Sequence, residues 1–120
     1  MYGLRNDIDL NFLIGRIVEQ VAIGVYEVIF GFDEDVRITV YQEFHYFDGQ
    51  AEWIWRPEAG SSLLAARTLA LLGYSVEDIE RDANGMLALT FANKSRLTIM
   101  DSSKEYESYD ITRPGETIVV

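Results

Sequence analysis

The sequence predicts an α+β fold: a mostly antiparallel sheet built from two similar three-strand meander units, with one main helix packed on a sheet face. Three observations carry that prediction. Apolar and polar residues alternate along most of the chain, the period of strands with one buried face. Residues 63–72 are apolar at all but two positions, the length and character of a buried helix. The chain also repeats itself. Leu13-Ile14-Gly15-Arg16-Ile17-Val18-Glu19 aligns with Leu71-Leu72-Gly73-Tyr74-Ser75-Val76-Glu77, and Phe32, Arg37 and Thr39 align with Phe91, Arg96 and Thr98. The length of 120 residues suits a single domain over 1–120, with the pseudo-repeat at about 7–47 and 63–101.

The elements follow in order. Residues 7–14, ended by Gly15, form a shorter counterpart of the main helix. Val21, Ile23 and Val25 alternate, then Tyr26, Val28, Phe30 and Phe32, then Val36, Ile38 and Val40, with turns at Gly24 and at Asp33-Glu34-Asp35. The pattern runs on through Phe47, turns at Asp48-Gly49 and continues as a short strand to Trp55. After Pro57, Ser61 or Ser62 caps the helix over 63–72, and Gly73 ends it in a left-handed conformation. In the second unit Asn84-Gly85 marks a two-residue hairpin before Leu87, Leu89 and Phe91, and Ala92-Asn93-Lys94-Ser95 turns into Leu97 and Ile99. A turn follows at Asp101-Ser102-Ser103. Residues 106–112 and 116–120 read as a last pair of strands joined at Pro114-Gly115.

Composition narrows the function. Twenty Asp and Glu against ten Lys and Arg give a net charge of −10, and the pI is near 4.4. Such a surface repels nucleic-acid phosphates and anionic membranes, so neither is an expected partner, and a basic protein is favoured. The chain has no cysteine, which excludes disulfides, thiol nucleophiles and thiolate metal sites. No apolar run is long enough for a membrane span, and the opening residues do not read as a signal peptide, so a cytoplasmic protein is expected.

Motifs for chemistry are sparse. His45 is the only histidine, so it is the one candidate general acid–base group, yet no Gly-x-Ser-x-Gly elbow accompanies it. Asp33-Glu34-Asp35 lacks the spacing of a calcium loop and reads as a hairpin turn, and Glu77, Asp78, Glu80 and Asp82 form a second acidic patch without a visible cleft. Phosphate-binding glycine loops are absent. No catalytic residue, cofactor or metal is therefore expected. The aromatics say more. Trp53 and Trp55 share a strand face, and Tyr106-Glu107-Ser108-Tyr109 interleaves aromatic and acid in the way of surfaces that receive Arg or Lys. Trp53, Trp55, Tyr106, Glu107 and Tyr109 are the candidate partner-binding residues, with burial in the core as the competing reading for the tryptophans and for Tyr109.

Leu13-Ile14-Gly15-Arg16 followed by Val21, Ile23-Gly24, Tyr26, Val28, Phe30 and Phe32-Asp33, and later Tyr106-Glu107-Ser108-Tyr109 with Ile111 and Pro114-Gly115, resemble a family of small uncharacterised bacterial single-domain proteins. The resemblance spans nearly the whole chain and implies no catalytic residue. A looser similarity, of size, acidity and fold class, is to the immunity proteins that bacteria pair with secreted toxins. The expected function is a non-enzymatic, acidic protein-binding module, with an immunity-type inhibitor of a basic partner as its narrower form. A self-associating scaffold that pairs strands through Thr117-Ile118-Val119-Val120 is the alternative. A small enzyme or ligand carrier using His45 is the third.

Overall fold

The computed structural model describes residues 3–5, 7–102 and 105–120. Ten strands form among them, in two halves. The first half carries β1 (Val18–Ile23), β2 (Val28–Phe32), β3 (Arg37–Val40), β4 (Glu43–Phe47) and β5 (Glu52–Trp55). A short helix, α1 (Ser62–Ala65), and a 3₁₀ segment (Ala66–Leu71) follow. The second half carries β6 (Val76–Arg81), β7 (Leu87–Phe91), β8 (Arg96–Met100), β9 (Tyr109–Arg113) and β10 (Glu116–Val119). All pairings between these strands are antiparallel.

Two five-stranded sheets result, ordered β1-β2-β3-β9-β10 and β5-β4-β8-β7-β6. Each three-strand meander is completed by the hairpin of the other half: β9-β10 joins β3, and β4-β5 joins β8. The registers correspond. Val18 faces Phe32 and Val76 faces Phe91, and each first strand has a register shift just after that pair. Arg37 faces Thr112 and Arg96 faces Phe47 at the crossing points. The two halves also meet directly. Gly15 N–H donates to Val76 O at 2.7 Å and Gly73 N–H to Val18 O at 2.8 Å, around the bridge between Ile17 and Ser75. Gly15 and Gly73 hold φ of +89° and +87°, which only glycine adopts without strain, so each turns its chain into this ribbon.

The alternation read in the sequence fills one core from both sheets. Val28, Phe30, Ile38, Val40, Tyr109 and Ile111 of the first sheet join Phe44, Tyr46, Trp55, Leu87, Leu89, Leu97 and Ile99 of the second. Phe30 meets Phe44 edge to face at 5.5 Å, and Phe44 stacks on Trp55 at 5.2 Å. Each such side chain contributes about 1.5–3 kcal/mol through removal from water.

Three local expectations are corrected. Residues 63–72 do not form a regular helix on a sheet face: the α-helical part is four residues long, and the rest is 3₁₀. Burial recurs at Ala65, Thr68 and Leu71, a spacing of three that suits 3₁₀ geometry, while Leu63, Leu69 and Leu72 are exposed. Thr68 Oγ1 donates to Ala65 O at 2.6 Å, and Ser61 makes no side-chain cap. The segment touches the edge strands β5 and β1. Asn84-Gly85 is not a two-residue hairpin either. Asp82 Oδ1 accepts from the N–H of Asn84 and of Met86, so the side chain organises a longer loop. Finally, β9 begins at Tyr109, which leaves Tyr106 and Glu107 in the link before it. Ser103, part of the turn expected after β8, lies outside the described residues.

Candidate functional site

The five candidate partner-binding residues separate by burial. Trp55 and Tyr109 point into the core and are fully buried, so neither can anchor a partner. Tyr109 is held there by donation from its hydroxyl to Gly85 O at 2.7 Å, and burial pushes its ionisation upward. Trp53 is half-buried. The Arg67 guanidinium lies 3.6 Å from its ring centroid, and its indole N–H donates to Asp48 at 3.4 Å. An intramolecular cation–π contact thus already occupies one face of the ring. Tyr106 is 67% exposed and Glu107 lies partly buried beside it.

Glu107 belongs to a constellation at one end of the first sheet. Val28, Val40 and Ile111 point inward, so their neighbours Glu27, Tyr41 and Asp110 point outward by strand alternation. The link before β9 closes on this corner: Tyr41 N–H donates to Ser108 O at 2.9 Å, and Ser108 Oγ donates to Asp101 at 2.8 Å. The Tyr41 hydroxyl donates to Asp110 Oδ2 at 3.1 Å. Desolvation, with the nearby charges of Asp110, Glu107 and Glu27, pushes the Tyr41 hydroxyl up to about 12. The Glu107 carboxyl is raised from 4.5 to about 7, first by desolvation and then by a hydrogen bond to Asp110 and its charge. Burial and the neighbouring Asp110 thus both oppose ionisation of Glu107. Tyr26, in the β1–β2 turn next to Glu27, is 69% exposed. Simple alternation leaves Tyr41 facing outward, and its place beside Glu107 depends on β9 docking against β3.

His45 lies on the outer face of the second sheet. Its Nε2 is 2.7 Å from Glu43 and its Nδ1 2.9 Å from Glu52, and Arg56 donates to Glu43 at 2.8 Å. Burial opposes ionisation of Glu43, but the hydrogen bonds from His45 and Arg56 outweigh it and hold its carboxyl below the ordinary range. With a carboxylate at each ring nitrogen, His45 has no nitrogen facing a hydroxyl nucleophile. The Asp33-Glu34-Asp35 run has a structural task. Asp33 accepts the Ile17 N–H at 2.9 Å and lies 3.6 Å from Arg16, while Glu34 and Asp35 take φ of 60° and 57° to close the turn. Among the described residues, no group of three or more His, Asp or Glu is placed to hold a metal, and no helix is long and apolar enough to cross a membrane.

A profile of the DUF6188 proteins, a family of unknown function, matches residues 10–120. The chain belongs to the DUF6188 family. The matched region takes in all ten strands, both sides of the ribbon and the acid–tyrosine corner of this DUF6188 member. Searches of curated proteins and of solved structures give no match.

Proposed function

We propose that this chain is a non-enzymatic module that binds a basic protein surface through the acid–tyrosine corner of its first sheet. The observation that carries the reading is the convergence of Glu27, Glu107 and Asp110 on Tyr41, with Tyr26 and Tyr106, each next in sequence to one of these acids, both exposed. Carboxylates crowded until one keeps its proton gain most from an arriving cation: an Arg or Lys lets Glu107 ionise and takes up both charges. Flanking tyrosines supply apolar contact with few side-chain torsions to order. The net charge of −10 steers a basic partner towards the chain, faster at low salt.

The finer readings rest on the same corner. A secreted toxin domain is the narrower partner class, and a soluble cytoplasmic setting fits that class. Two copies of one meander-plus-hairpin unit, interlocked as a single domain, are the ancestry we propose. The test is quantitative binding to the product of the adjacent reading frame, or to a basic protein captured from the native host. Tyr106→Ala and Asp110→Asn should each weaken that binding at least tenfold, and added salt should weaken it in the wild type. Equal binding by wild type and both variants would overturn the assignment of the site.

A further inference from the structure

Four strands lie at sheet edges: β1 and β10 in the first sheet, β5 and β6 in the second. Exposed edges invite pairing with other chains, and proteins protect them with charges, bulges or covering segments. Three of these edges are protected. β1 carries Glu19 and a register shift, and β6 carries Glu77, Asp78 and Glu80 with its own shift. β5 is contacted by α1. Among the described residues, Thr117-Ile118-Val119 carry no charge and no register shift, and Glu116 at the start of β10 is paired with Arg113 at 2.8 Å.

The backbone of β10 is oriented for pairing. Val120 N–H donates to Tyr109 O at 3.0 Å, and the hairpin closes at Arg113 and Glu116. Antiparallel alternation then turns the N–H and C=O of Ile118 towards β9 and those of Thr117 and Val119 towards the open edge. Beside that edge runs a groove of about 350 Å³ lined by Gly3, Arg5, Ile8 and residues 116–119. Arg5 is paired with Asp7 at 2.8 Å, so the far bank brings no unpaired charge from Arg5.

We infer that β10 is a self-association edge, which pairs antiparallel with β10 of a second copy about a twofold axis at Ile118. In that register Thr117 faces Val119 of the other copy twice over, four backbone hydrogen bonds form, and the two Ile118 side chains meet on the core side. Two chains of charge −10 can approach there because the paired segment holds no carboxylate, whereas β1 or β6 would oppose acids to acids. The contact is small, so the dimer is concentration-dependent, and it strengthens with salt as long-range repulsion is screened.

The experiment is sedimentation equilibrium of the full chain from micromolar to millimolar concentration at low and high salt, with amide exchange read at the same concentrations. The expected result is a monomer–dimer equilibrium favoured by salt. Exchange at Thr117 and Val119 slows severalfold with concentration, and exchange at Ile118 does not. Thr117→Pro removes one outward N–H without touching a β9 bond, and Val119→Lys adds a charge to the edge. Each should shift the equilibrium to monomer by tenfold or more while circular dichroism stays native. A wild type that is monomeric throughout, or a dimer that survives both variants, would overturn the inference. Binding of a basic partner at the acid–tyrosine corner is a separate measurement, made with wild type and Thr117→Pro because Val119 faces Asp110 across β9 and β10.

Discussion

Replacement of Glu107 by glutamine tests the acid–tyrosine corner without a partner. Its carboxyl titrates near 4.5 when the chain is unfolded and near 7 in the fold. Between those values the native state holds a proton that the unfolded state has released. Stability from this group is therefore greatest in acid, falls as pH climbs from about 4.5 to about 7, and is level above that. Full shielding would make the effect about 3 kcal/mol. Glu107 is partly exposed, so solvent screening reduces it to about 1 kcal/mol. Glutamine keeps the shape and can donate to Asp110, so Glu107→Gln should remove the pH step and retain the contact. The assay is urea unfolding at about pH 5 and about pH 8, within a range above the titration of Glu43 and Asp48, both held below ordinary carboxyl values. Wild type should lose about 1 kcal/mol more than the variant over that interval. An identical pH dependence in the two proteins would show that burial and Asp110 do not raise the Glu107 carboxyl.

Gly85→Ala should cost about 2–4 kcal/mol, since φ is +93° and the new Cβ would lie 2.4 Å from Asp101 Oδ2; an unfolding midpoint close to wild type would contradict the packing of that loop. Trp55→Ala should lose about 3–5 kcal/mol by opening a core cavity, while Trp53→Ala loses about 1 kcal/mol with its Arg67 contact. Calorimetry distinguishes the two, and similar losses would refute the division between core and rim. Fragments 1–60 and 61–120 should each be unfolded alone and regain circular dichroism on mixing, because each sheet needs a hairpin from the other fragment; a fragment that folds unaided would contradict the interlocking.

Much of the strand pattern was legible because each buried face leaves a period-two trace. Val36, Ile38 and Val40 gave β3, and Leu87, Leu89 and Phe91 gave β7. The repeat pointed to residues that meet in the ribbon, since Gly15 and Gly73 make matching hydrogen bonds. The exchange of hairpins was not legible. Local alternation in Phe44 and Tyr46 says that β4 has an inner face but not whether it continues beside β3 or crosses to β8. The helix was misread because nearly continuous apolar character hid the spacing of three at Ala65, Thr68 and Leu71. For the same reason the site was only half visible. Tyr106 and Glu107 stood out as neighbours in sequence, whereas Glu27, Tyr41 and Asp110 reach them only through strand pairing. Tyr109 looked like their companion but belongs to the core, because the strand begins with it.

The internal correspondence also acts as a control on where function lies. His45 faces Thr98 across β4 and β8, and Asp110 faces Thr39 across β9 and β3, so the two occupy equivalent places on the outer faces of their sheets. The buried faces are alike in character, as one core requires. The outer faces are not. Around His45 the polar groups pair within the chain: the ring lies between Glu52 and Glu43, and Arg56 donates to Glu43. Around Asp110 the side-chain charges of Glu27, Glu107 and Asp110 are all acidic, and burial together with Asp110 pushes the Glu107 carboxyl up to about 7. The proposal that a basic partner binds at this corner rests on that difference, and the acidity of the whole chain would steer such a partner towards it.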